Sequence, residues 1–122
     1  MVIDAARARK TLAVVRLVNG GLGLFAPRFL LRRLGTDPDN DASGVYPFRM
    51  FGVRTVLIGA DLLVLTGEES RRASRAAVVI HASDTVSAAT CLARGYLPRR
   101  AGVIATLISG INTVLAVFAA RE

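Results

Sequence analysis

The sequence has no tryptophan, one cysteine, one histidine and one lysine among its 122 residues. A solitary Cys91 excludes an intramolecular disulfide and a thiolate metal cage, and it reads as a small packing residue. His81 has no second imidazole to complete a zinc site, so a hydrogen-bonded bundle histidine is expected in place of a ligand. No serine, Cys91 or His81 stands at a spacing that would pair a nucleophile with a base, so no enzyme activity, metal or cofactor is expected. Repeats at a fixed period and low-complexity segments are also missing. Basic residues precede the first apolar stretch, but Ala26-Pro27 runs into Arg28 without a small-residue cleavage pattern, and the first helix is expected to be retained. Acidic residues are few, 9 against 16 basic, for a net charge of +7. The basic side chains cluster at the ends of apolar blocks and form no stripe interleaved with aromatics. That pattern favours lipid headgroups over nucleic acid.

What is present is apolar sequence in four blocks, with 52% hydrophobic residues and a mean hydropathy of +0.47. The expected fold is all-α, a single domain over residues 1–122 built as an up-down-up-down four-helix transmembrane bundle. The predicted helices cover residues 11–26, 46–66, 75–94 and 99–120. A soluble four-helix bundle competes with this reading, since no block is free of polar residues. The blocks are near twenty residues long and lack the polar face of a soluble amphipathic helix, which favours the membrane.

In chain order, residues 1–10 form a basic lead into helix one, which carries Arg16, Asn19 and the helix-packing candidates Gly20, Gly21 and Gly23. Glycines at this density allow a neighbouring backbone to approach closely in a membrane. Pro27 limits that helix, and residues 28–35 form a short interfacial amphipathic segment, three arginines beside Phe29, Leu30, Leu31 and Leu34. Residues 36–44 are acidic and turn-rich. Asp37, Asp39 and Asp41 alternate as in the start of a calcium loop, but Pro38 intervenes and no Glu stands at the twelfth position, so a solvated turn is the expectation. Residues 67–74 are expected to be a polar connection in which Ser74 caps the next helix, and Pro98 opens helix four.

The second apolar block, residues 46–66, dominates the reading because it carries Arg54 and Asp61 within a run of spanning length. Charges at membrane depth are costly and turn towards partners. Counting rise from the end that holds the N-terminus and residues 67–74, with Lys10, Gly67 and Ser74 as starting points, places Arg16 level with Asp61 and Arg54 within reach of Asp84. Two ion pairs, Arg16–Asp61 and Arg54–Asp84, are therefore expected, with His81 near the first and Asn112 the only strongly polar interior residue of helix four. This buried network serves either to fix helix packing or to bind a ligand.

Three stretches, residues 16–35, 49–63 and 84–100, resemble a family of small four-helix membrane proteins of unknown function common in actinobacteria. The resemblance rests on Arg16 with the small-residue turn and Ala26-Pro27-Arg28 ending helix one, on Arg49, Gly52 and Arg54 opening helix two, and on Asp84 in helix three. It implies the four-helix membrane architecture and no reaction.

The functional expectation is a non-enzymatic integral membrane protein of the cell envelope. One form is an accessory or stabilising subunit of a larger complex, a lipid transporter being the concrete case, with membrane lipids and other membrane subunits as partners. The alternative is a free-standing carrier for a lipid or small acid that uses the Arg/Asp site. Orientation is finely balanced. Arg7, Arg9, Lys10, Arg71, Arg72, Arg75 and Arg121 make seven basic residues at the end holding both termini. Arg28, Arg32, Arg33, Arg49, Arg94, Arg99 and Arg100 make seven at the other. With the positive-inside rule tied, the acidic loop is assigned outside and both termini to the cytoplasm.

Overall fold

The computed structural model describes residues 4–121 and is helical throughout, with no strand among them. Five helices follow in order: α1 Ala5–Phe25, α2 Pro27–Arg33, α3 Val45–Val64, α4 Gly67–Ala93 and α5 Arg99–Ala119. Each boundary has a local cause. Asp4 caps α1 by accepting from the Arg7 backbone N–H at 2.7 Å, so the helix begins at Ala5 and not at residue 11 as predicted. Pro27 lacks the N–H that would continue α1 and opens α2 as its first residue. The chain bends there by 109°.

The largest departure from expectation is residues 67–74, which are helix and not connection. Gly67 takes φ +61°, which makes the turn in place, and Glu68 and Glu69 then fill the first turn of α4, where carboxylates complement the helix dipole. Glu68 also pairs with Arg71 at 3.2 Å. Ser74 is therefore no cap; it lies buried inside α4.

The helices alternate in direction and pack as two antiparallel pairs, α1 with α3 and α4 with α5, joined chiefly through α1 and α5. The α1–α3 contact is backbone against backbone. A Cβ on Gly20 would meet Val56 N at 2.7 Å, and one on Gly52 would meet Gly20 O at 2.7 Å. Gly21, which the sequence groups with its neighbours, faces open space. The core gathers at one end, where Ala8, Leu12 and Ala13 of α1 meet Leu62 of α3, Ala77 of α4 and Leu115, Ala116 and Ala119 of α5. Alanines dominate it, and side chains this small allow close helix packing.

Two helices, α4 and α5, are long and apolar enough to cross a membrane, and α1 with α2 passes the same test only as a bent pair. Arg49, Arg54 and Asp61 are spread along the 20 residues of α3 so that no 18-residue stretch escapes them, whereas the charges of α4 gather in its first turns and leave Asp84 alone beyond Arg75.

Candidate functional site

Away from the alanine core the bundle opens into a cleft of about 410 Å³ between α1, α2, α3, α4 and α5. Its walls are apolar: Leu30 from α2, Phe48 and Phe51 from α3, Ile104 and Ile108 from α5. The two phenylalanines meet edge to face with centroids 6.0 Å apart, a favourable aromatic geometry. Arg16, Arg54 and Asp84 form its charged lining. The volume falls within the roughly 300–1,000 Å³ of small-molecule sites, which pair apolar walls with a few polar groups.

Arg16 is 3% exposed. Its Nη2 donates to Thr55 Oγ1 at 3.2 Å, and its guanidinium carbon lies 5.6 Å from the centre of the Phe51 ring, within cation–π range. Its Nε has no partner among the described residues. Arg54 Nη2 meets Asp84 Oδ2 at 3.5 Å, and the side chains are 49% and 30% exposed. That pair joins α3 to α4 across the cleft as the sequence suggests, yet it is half-exposed and not sealed in the core.

The expected Arg16–Asp61 pair is not formed. Asp61 is exposed on the outer face of α3 and has no polar partner among the described residues. The depth count failed because α1 starts at Ala5, six residues before the predicted start at residue 11. Arg16 therefore lies more than a helical turn deeper than the count placed it, and Thr55 takes the place assigned to Asp61.

His81 and Asn112 are fully buried. Neither ring nitrogen of His81 nor either amide atom of Asn112 has a hydrogen-bond partner among the described residues. Beside them the Thr85 hydroxyl donates to the His81 carbonyl at 2.7 Å and lies 3.2 Å from that of Thr113, tying α4 to α5. His81 is buried in α4 and does not line the cleft.

The acidic loop stands at the open end with its carboxylates engaged locally. Asp39 accepts from Arg32 at 3.0 Å, and Asp37 accepts from the Asp39 backbone N–H at 3.2 Å. Hydrogen bonds from the Ser43 hydroxyl and backbone N–H hold the Asp41 carboxyl below the usual carboxylate range. Among the described residues no three His, Cys, Asp or Glu side chains gather as a metal site would require.

Thr55 and Phe51 were missed from the sequence. The signal for Thr55 was present, since Gly52, Thr55 and Gly59 recur at helical spacing and are the buried small residues of α3. Phe51 carried none, because an aromatic beside a glycine reads equally well as core. Comparison with protein-family models, with curated proteins and with solved structures finds no match.

Proposed function

We propose that α1, α3, α4 and α5 all cross the cell membrane, with α2 lying at its interface, and that the cleft binds an anionic amphiphile. The ligand class is a lipid or acid with an apolar body and a carboxylate or phosphate head. One observation carries the reading: an apolar cleft of about 410 Å³ whose charged lining is Arg16, Arg54 and a single acid, Asp84. Two guanidiniums against one carboxylate leave a net positive site, and guanidinium forks suit planar or tetrahedral oxyanions. Arg16 is held in place by Thr55 and Phe51, so its guanidinium is oriented before a ligand arrives. Arg54 is shared with Asp84 and free to exchange partners. The glycines that favoured a subunit role from the sequence are used inside the chain, Gly20 and Gly23 against α3, and this shifts the balance towards the binding reading.

The test is binding by the full chain in nanodiscs of neutral lipid, titrated with dodecanoate and with dodecanol. The carboxylate should bind at least about tenfold more tightly than the alcohol, the equivalent of one charge-assisted hydrogen bond, and Arg16→Gln should erase the difference. Equal affinity for both ligands would end this reading. The accessory-subunit alternative is supported by one observation, the exposed Asp61 on an apolar helix face, which needs a cation from outside its own chain.

A further inference from the structure

The outer face of α3 carries a second, independent pattern. Tyr46, Met50, Val53, Leu57 and Val64 are exposed, and with Ala60 they recur at alternating spacings of four and three residues. This is the seam of a two-helix coiled coil. Leu57 is 60% exposed and Val64 74%, so the seam is unused within the chain. Arg54 and Asp61 follow Val53 and Ala60 directly and occupy the flanking positions whose charges set partner and orientation in such pairs.

We propose that this face pairs with the same face of a second copy running in the opposite direction across the membrane. This rests on the reading that α3 spans the bilayer. In the antiparallel register that seats Leu57 on Ala60 of the second copy, Val53 meets Val64 and Val56 meets Leu63. The same register brings Arg54 beside Asp61 of the second copy, and by symmetry Asp61 beside its Arg54. Both carboxylates thereby gain a cation. Arg54 keeps donors for Asp84, since a guanidinium carries five N–H groups, and the positive charge of the cleft then rests on Arg16.

A parallel pair fails on the same residues. It sets Arg49 against Arg54 of the second copy, two like charges, and leaves Asp61 opposite Val56. An unpaired charge at that depth is costly, so charge selects the antiparallel arrangement. Such a pair needs chains inserted in both orientations. The basic residues divide seven and seven between the two ends of the bundle, so the rule that fixes orientation gives this chain no preference.

The experiment uses the full chain in its native membranes, in a Cys91→Ser background, after alkaline carbonate extraction. Two differently tagged copies are co-expressed, one with Val53→Cys and one with Val64→Cys, and oxidised. A disulfide between the two tags is expected, with none when both copies carry Val53→Cys. Adding Asp61→Asn to both copies should lower the yield by about tenfold, the loss of two interhelical polar contacts. In a separate strain, Ser43→Cys should reach about half of its full labelling by an impermeant thiol reagent in intact cells, as expected for mixed orientation. A Val53–Val53 disulfide, no disulfide in either pairing, a disulfide from Val64→Cys to a different protein, or all-or-none labelling of Ser43→Cys would each overturn the pairing. Release of the chain by carbonate would overturn the membrane reading itself, and this inference with it. Retention with a failed cross-link would sink the pairing alone.

Discussion

The two ends of the bundle are built from the same helices and differ in what lies between them. At the end holding the α3–α4 turn, Ala8, Ala13, Ala77, Ala116 and Ala119 pack between the helices, and Leu12 and Leu62 fill the remainder with almost no exposed surface. At the other end Phe48, Phe51, Ile104 and Ile108 line a cleft and do not close it, while α2 turns away at Pro27. Arg16 stands where one regime passes into the other. The lesson is that small side chains seal a bundle and large ones can hold it open, so hydrophobicity alone does not mark the core. The arginines and Asp84 collect where packing stops, which is where a ligand has room.

The largest effect should come from the contact on which both ends depend. Gly52→Ala places a Cβ against Leu24 N and within 2.7 Å of Gly20 O, backbone atoms that cannot move aside. Overpacking of that kind costs about 3 kcal/mol or more, and the variant should lose its cooperative unfolding transition in detergent. A near-normal transition would mean that α1 and α3 do not meet through these glycines.

The closed and open ends should then separate under truncation. Leu62 is 1% exposed and Ile108 38%. Leu62→Ala should cost about 2–5 kcal/mol by leaving a cavity, whereas Ile108→Ala removes a partly solvated cleft wall and should cost about 1 kcal/mol or less. Equal losses measured by chemical unfolding would show that the cleft closes in solution.

Charge at the open end should matter less to stability than to binding. The Arg54–Asp84 pair is half-exposed, and removing both charges together, Arg54→Gln with Asp84→Asn, should cost about 1 kcal/mol or less, as for an exposed ion pair. Arg54→Gln alone should weaken dodecanoate. A loss of several kcal/mol would place the pair in a sealed interior and contradict the cleft.

The smallest effect belongs to the acidic loop at the rim. Asp41 is held below the ordinary carboxylate value by the Ser43 hydroxyl and then by the Ser43 backbone N–H. A depressed folded-state value means that the order this carboxylate lends the loop is present above its ordinary pKa and lost as pH falls through the depressed one. Ser43→Ala removes the hydroxyl, and the Asp41 titration followed by carbon NMR should move up towards the ordinary range while the core resonances stay unchanged.

The sequence made the helical character, the α2 segment, the α4–α5 pair and the Arg54–Asp84 approach legible, because hydrophobic blocks, Pro27, Pro98 and a long arginine side chain leave strong local signals. It misplaced Arg16 because depth was counted from Lys10, which lies inside α1 and not at its start at Ala5, and it took residues 67–74 for a polar connection. A glutamate-rich helix start and a loop share the same composition, and only the positive φ at Gly67 separates them. The cleft itself was not legible. Whether two phenylalanines fill a space or border it depends on how far apart the helices stand, which the local sequence does not fix.

The central claim is that the cleft takes the acid head of an amphiphile on Arg16 and Arg54. It is tested most directly by nitrogen NMR of the arginine side chains in a nanodisc sample titrated with dodecanoate and, separately, dodecanol. The guanidinium signals of Arg16 and Arg54 should shift saturably with the carboxylate and stay in place with the alcohol, while those of Arg94 and Arg99 at the bundle end stay in place with both. Shifts confined to the end arginines, or identical responses to the two ligands, would contradict the account.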